Sequence, residues 1–238
     1  MSRFDYSTIT EEWLQLVKRN LEEYNRFFPP DTFAQALGCL LKDNESFTTE
    51  ITSDMSLYRA KIYREKEDNE EKTVEYQGYG PKGSGVPQEK WVGEGRMNPS
   101  GIKILYLATG KTTCVKEIGA ATGEKVSIGV FHSLKKLKVA DFQNIRVSAS
   151  GKRILINWIR ELLSRGYGGK DYVITQYLAM LFKHLNIDGI KYRSKYATTN
   201  DVRKGNNIAV FDAGKCTCVS SSIYKVKSIS LGLDPKDS

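Results

Sequence analysis

One stretch of this 238-residue chain constrains its fold more than any other, the run from Val92 to Ala121, VGEGRMNPSGIKILYLATGKTTCVKEIGAA. Ile104, Tyr106 and Ala108 alternate with Lys103, Leu105 and Leu107, so Lys103 to Ala108 reads as a strand buried on both faces or nearly so. The turn Thr109 to Thr112 then starts a helix, with Thr112 or Thr113 as N-cap and Val115 and Ile118 giving it an inward face. Glu117 lies near that face. A carboxylate there is either a partly buried ion-pair member or a site group, because Glu is seldom fully buried without a partner. Gly110, Lys111 and Thr112 look like the end of a phosphate-binding P-loop. That motif needs a further glycine five residues earlier, where this chain has Leu105 inside the strand, so a P-loop nucleoside triphosphatase is excluded.

Four stretches, in order, resemble one family. LYRAKIY (Leu57 to Tyr63) is similar to an opening strand with an arginine, and GRMNPSGIKILYLATGKTTCVKEI carries the glutamate. YVITQYLAMLFKHLNIDGIKYRSKY holds a helix followed by a strand ending in a serine, and NNIAVFD (Asn206 to Asp212) is similar to a closing core strand. Together, from Leu57 to Asp212, they resemble the RES domain, named for an arginine, a glutamate and a serine, whose members include toxins of bacterial toxin-antitoxin pairs. The resemblance implies Arg59, Glu117 and Ser194 as catalytic residues. It also implies an α/β (α+β) mixed-sheet fold similar to ADP-ribosyltransferase toxins, and an enzyme that degrades NAD by cleaving its nicotinamide glycosidic bond.

These residue types suit that chemistry. Nicotinamide departs neutral from a positively charged precursor, so the leaving group needs little help and the difficulty is positive charge developing on the ribose. A carboxylate beside the sugar stabilises an oxocarbenium-like transition state and can hold a ribose hydroxyl, the role for Glu117. The pyrophosphate calls for arginine's planar fork, which fits Arg59, shared with Arg96. An aromatic ring would clamp the nicotinamide, Tyr106 first and Tyr58 second. Ser194 is placed to bond a phosphate, the ribose or the carboxamide rather than to attack, since neither His132 nor His184 stands in a triad context. Asn98 and Gln176 complete the expected substrate contacts, although Gly95 to Gly101 also reads as a plain turn rich in Gly, Asn and Pro. NAD is a substrate here and no cofactor or metal is expected; Cys216 and Cys218 are too close for ordinary disulfide geometry and lack zinc-site spacing.

Around this core, residues 1–55 read as a helical N-terminal extension and 56–238 as the RES-like NAD-cleaving domain. Thr8 with Glu11 makes a capping box, and Trp13, Leu14, Val17, Leu21 and Tyr24 form an apolar stripe ended by Pro29 and Pro30. A second helix is expected over Asp31 to Leu41 with Phe33, Ala36, Leu37 and Leu40 inward, and the pair would act as a lid, an oligomer contact or a cover for the sheet. Arg64 to Val92 reads as a long mobile loop gating the pocket and anchored by Trp91. Ile154, Leu155, Trp158, Ile159, Leu162 and Leu163 form one core helix stripe, and Ile174, Tyr177, Leu178, Leu181, Phe182 and Leu185 another. The tail from Ser220 opens with an alternating strand, SIYKVKSISL.

The net charge of +8 and pI near 9.2 invite a nucleic-acid reading. No helix-turn-helix, zinc finger or ribonucleoprotein motif sharpens it, so specific nucleic-acid binding is not expected and the charge is left to steer NAD or an acidic partner. No apolar run approaches the roughly 18 residues of a membrane span, and MSRFDYSTITEEW has no signal-peptide core, so a cytoplasmic protein with no membrane contact is expected. The resemblance also implies an antitoxin partner of the Xre helix-turn-helix type, with a homo-oligomer open. The rival readings are an ADP-ribosyltransferase acting on a protein or nucleic acid, and a non-catalytic basic binding module.

Overall fold

A computed structural model of the protein describes residues 4–42, 47–65, 71–143, 147, 150–164, 171–197 and 205–228. Helices α1 (Glu11–Arg19) and α2 (Asp31–Lys42) precede strands β1 (Thr48–Ile51) and β2 (Leu57–Ile62). A single turn α3 (Pro81–Ser84) leads to β3 (Leu105–Ala108), α4 (Lys111–Glu117), β4 (Lys125–Ser133) and β5 (Leu137–Asp141). Helices α5 (Ser150–Ser164) and α6 (Asp171–His184) follow, then β6 (Gly189–Arg193), β7 (Asn206–Val210) and β8 (Cys216–Lys225).

The eight strands form one mixed sheet in the order β1-β5-β6-β7-β3-β2-β4-β8, the expected α/β class. Among these described strands only β5 and β6 pair in parallel, and the connection between them carries α5 and α6, as a parallel pair requires a long crossover. Strand β7 is buried along its whole length at the centre of the sheet. Alternation sorts side chains to two faces: Tyr106, Ile190, Tyr192 and Ala209 meet the helices, while Leu105, Leu107, Ile208 and Val210 meet the opposite cluster with Phe131 and Val139.

Both predicted core stripes lie on α5 and α6, with Leu155, Ile159, Ile174, Leu178 and Phe182 wholly enclosed. The N-terminal helices belong to the same core. Phe33 packs edge-on against Trp158 with ring centroids 6.1 Å apart, and the Tyr6 hydroxyl donates to the Ala36 carbonyl at 2.7 Å. Phe33, Ala36, Leu37 and Leu40 all face inward as the spacing predicts. Each large apolar side chain so buried contributes about 2 kcal/mol, so this segment is a structural part of the body.

Several local expectations are corrected. The α1 cap is Thr10, whose hydroxyl accepts from Trp13 N at 3.1 Å, not Thr8. Tyr24 is 71% exposed because α1 runs into a π-helical turn, Asn20–Tyr24, whose wider winding rotates it off the stripe. Helix α4 begins earlier than either threonine, at Lys111 with Gly110 in the N-cap position and no side-chain cap, so Thr113 and Cys114 face inward while Ile118 is exposed.

The loop after β2 is the largest correction. From Glu75 to Tyr79 it is tied to β8 and β4 by Ser221 N to Glu75 O (2.8 Å), Gln77 N to Ser221 O (2.9 Å) and Tyr79 N to Ser127 Oγ (2.9 Å). Gly78 permits this approach, since a Cβ there would stand 2.3 Å from Ser127 Oγ. Unpaired groups on the edge strand give the segment somewhere to dock, which composition alone does not reveal. Trp91 is 71% exposed and anchors nothing; among the described residues of the segment the buried side chains are those of Tyr79 and Ser84, with Gly78 and Gly80 buried beside Tyr79. The charged run at 66–70 and the tail strand beyond 228 lie outside the described residues.

Candidate active site

The sheet nearly parts between β2 and β3. They share a single register pair, Tyr58 with Ala108, whereas β2 pairs β4 over six residues and β3 pairs β7 over four. Strands joined at one point splay beyond it. The gap becomes a cavity of about 780 Å³, walled by Tyr58 to Ile62 of β2, Tyr106 to Ala108 of β3, and Glu117 of α4. Tyr192 and Asn207 form its back, and Tyr79, Lys82 and Gly83 from the docked loop form its rim. Among the described residues none before Tyr58 lines it, and neither α1 nor α2 covers it as a lid.

Glu117 is the last residue of α4, at the helix end where backbone carbonyls disfavour a negative charge. Its Oε1 accepts two hydrogen bonds, from Ser194 Oγ and from Asn207 Nδ2, both 2.6 Å. Ser194 itself is 3% exposed, at the turn just after β6, and its Oγ also accepts from Tyr196 N at 3.1 Å. Its proton therefore points at the carboxylate. Such a weak base does not activate an alcohol, and the serine stands behind Glu117 rather than in the cavity wall, which agrees with a supporting role and not a nucleophile. Glu117 Oε2 has no protein partner among the described residues and is left to the cavity.

Across the cavity, Arg59 has its Nη1 enclosed without a hydrogen-bond partner, and burial pulls the guanidinium down to about 10. It remains charged at neutral pH. An enclosed cation with an unmatched donor favours an anion, and Arg59 forms no ion pair with Glu117, so both charges stay free for a ligand. Lys61, two residues along the strand and also in the cavity lining, is engaged instead by the protein: its Nζ donates to the carbonyls of Gly83 and of Gly85, the latter at 3.1 Å, holding α3 at the rim. Tyr58 lines the opening with Lys111 Nζ 5.9 Å from its ring centre.

The other expected contacts go elsewhere. Tyr106 presents its ring to the cavity, but its hydroxyl donates to Asn98 Oδ1 at 2.7 Å and accepts from Met97 N at 2.9 Å, and burial pushes the pKa of its phenol well above the ordinary value. Asn98 Nδ2 donates to Gly93 O (2.9 Å) and Pro99 O (3.0 Å), closing the turn. Gln176 lies within α6, and its amide donates to Glu94 Oε1, Gly95 O and Asn98 O. Arg96 donates to the Leu163 carbonyl and covers the Tyr192 ring at 5.4 Å. None of Arg96, Asn98 and Gln176 lines the cavity. Gly95 is required here, because a Cβ would meet Asn98 Oδ1 at 2.5 Å.

The profile of the RES domain matches residues 56–234, three quarters of the chain. The protein belongs to the RES domain family. A solved structure titled the crystal structure of the M. tuberculosis MbcT-MbcA toxin-antitoxin complex is similar over 81% of this chain and 91% of that one, at 12% identity and a TM-score of 0.43. No curated protein matches the sequence.

In this RES protein the cavity brings together Arg59, Glu117, Tyr58 and Tyr106, with Ser194 directly behind the carboxylate. Sequence reading missed Tyr192 and Asn207. Burial pushes the Tyr192 phenol up to about 12, and its ring closes the back wall beneath Arg96. Alternation was the available signal: Tyr192 precedes Ser194 by two in the strand-to-turn run, so both point to the same side as Glu117. Asn207 had no comparable marker beyond standing in the closing strand.

Proposed function

We propose that this RES protein degrades NAD by cleaving the bond between nicotinamide and ribose, with water or inorganic phosphate as acceptor. One observation carries the reading: a carboxylate anchored through one oxygen and open through the other faces a cavity that also holds a half-buried arginine whose enclosed Nη1 is unmatched. The volume falls within the roughly 300–1,000 Å³ usual for small-molecule sites.

NAD suits these walls. Arg59 supplies the fork for the pyrophosphate, with Lys82 at the rim adding positive charge. The rings of Tyr58, Tyr106 and Tyr192 offer apolar faces for nicotinamide and ribose. As the glycosidic C–N bond breaks, its electron pair leaves with neutral nicotinamide, and Glu117 Oε2 lies where positive charge grows on the sugar. The acceptor oxygen then bonds the ribose carbon and gives up its proton to Glu117 or to solvent. NAD is consumed, so the protein needs no redox partner.

The expected physiological role is that of a toxin held in check by a partner protein, as the family's toxin members suggest, with an Xre-type antitoxin as the first candidate. The target pool would be cytoplasmic NAD; no helix among the described residues is long and apolar enough to cross a membrane. The test is incubation of purified protein with NAD, with and without phosphate, following nicotinamide release and the mass of the ADP-ribose product. Release lost in Glu117→Ala supports the reading, and the product mass names the acceptor. Intact NAD in both buffers overturns it.

Transfer of ADP-ribose to a macromolecule is the second reading, favoured by the contribution of Tyr79, Lys82 and Gly83 to the cavity rim, where an acceptor would approach. A mass increase on added protein or nucleic acid, rather than free product, would distinguish it.

A further inference from the structure

Glu117 has three rotatable side-chain bonds and sits at the end of a seven-residue helix, so α4 alone does not fix its carboxylate. Ser194 provides one tether. A single hydrogen bond still lets the carboxylate turn about the bonded oxygen. The second tether is Asn207, which is 7% exposed on β7 and paired with Ala108 on one side and Tyr192 on the other. Its Nδ2 donates to the same Oε1 at 2.6 Å, and its amide lies against the Tyr192 hydroxyl.

Both donors converge on one oxygen. A carboxylate oxygen has two lone pairs, and here both are occupied, by Ser194 Oγ–H and by Asn207 Nδ2–H. Only Oε2 remains to accept a ribose hydroxyl, face the developing cation or take a proton. We infer that Asn207 is a positioning residue that, with Ser194, saturates Glu117 Oε1 and so presents Oε2 alone to the substrate. The inference rests on Glu117 being the group that acts on NAD.

An amide suits this place better than the alternatives. A hydroxyl could rotate its proton away, and an acid would repel Glu117. Asn207 is itself held by the central strand of the sheet and by Tyr192, whose other face lies under Arg96. The residues of the Gly95 to Gly101 turn thus reach the carboxylate indirectly, through Arg96, Tyr192 and Asn207 in sequence.

The experiment compares Asn207→Ala, Asn207→Asp, Ser194→Ala and the Asn207→Ala/Ser194→Ala pair for NAD cleavage, beside Glu117→Gln. Asn207→Ala should lower kcat about 10- to 100-fold with KM changed less than about threefold, since it displaces a group needed in the transition state and leaves the binding cations alone. Asn207→Asp, equal in size but repelling Glu117, should lose at least as much. The double variant should fall little below the worse single one, because the two donors act on one oxygen. Should Asn207→Ala not fold, the isosteric Asn207→Asp carries the comparison. A readout independent of turnover is the carboxylate stretch of Glu117 in carbon-13-labelled protein, isolated by subtracting the Glu117→Gln spectrum; it should shift in Asn207→Ala.

An unmoved carboxylate band, or wild-type kcat in both Asn207 variants while Glu117→Gln is inactive, overturns the inference and leaves NAD cleavage standing. Wild-type turnover in Glu117→Gln overturns the role of Glu117 itself. A wild-type protein that leaves NAD intact but shows the band shift retains the tether and loses the substrate.

Discussion

The cavity wall and the turn from Gly95 to Gly101 are built from the same kinds of residue, arginine, tyrosine and amide, yet the structure treats them oppositely. At the turn, Asn98 and Arg96, with Gln176 of α6 and the Tyr106 hydroxyl of β3 packed against them, are matched by protein groups. In the wall, Arg59 Nη1 and Glu117 Oε2 are left open, the first enclosed and the second facing the cavity. A folded protein matches nearly all its buried polar groups, so a mismatch kept beside a cavity marks where a ligand supplies the missing partner. The matched turn reads as scaffold and the unmatched wall as the candidate site.

The sharpest way to break this comparison is Glu117→Gln. It keeps the shape and a hydrogen-bonding oxygen but removes the charge, so NAD cleavage should fall about a thousandfold while unfolding free energy shifts by less than about 1 kcal/mol. Cleavage within tenfold of wild type would remove the wall's claim to be catalytic.

Arg59→Met tests the other unmatched group and should move stability and binding in opposite directions. Burial pulls Arg59 down from its ordinary value to about 10, so the folded state disfavours the cation, a cost present in full at any pH below about 10 and fading as the group deprotonates above it. Across pH 6 to 9 the ligand-free variant should therefore be about 1 kcal/mol more stable in denaturant titration, while ADP-ribose binding, read by calorimetry, weakens about a hundredfold. Loss of stability together with unchanged binding would mean that the cation is structural.

The turn should respond the other way. Asn98→Ala removes the acceptor of Tyr106 and the donors to two carbonyls, so it should lose about 2–3 kcal/mol of stability, with KM for NAD unchanged in the protein that remains folded. A raised KM at undiminished stability would return Asn98 to the substrate site.

What could be read from sequence follows the same division. Strand β6 and the inward residues of α2 were legible because period and burial agree there. Arg59, Glu117 and Ser194 were legible through ordered motifs. Whether Arg96 or Asn98 faces ligand or backbone was not, because that depends on which groups α5 and α6 bring against the turn from far along the chain. Asn207 stayed hidden for a related reason: its significance lies in a contact across 90 residues to a side chain on another element. The docked loop was misread because glycine and charge describe a segment's freedom, not the vacant strand edge beside it.

Tyr106 belongs to both regions and gives the smallest and most discriminating effect. Its ring faces the cavity while its hydroxyl ties Asn98 and Met97. Tyr106→Phe keeps the ring and leaves a buried acceptor and a buried N–H unmatched, so it should cost about 1–2 kcal/mol of stability and change kcat/KM less than about threefold. Tyr106→Leu, which removes the aromatic face, should raise KM as well. If Tyr106→Phe instead leaves stability intact and slows turnover, the hydroxyl is released to the substrate when NAD binds. The turn would then be a reserve of polar groups for the site, and the division between matched scaffold and unmatched wall would hold only for the empty protein.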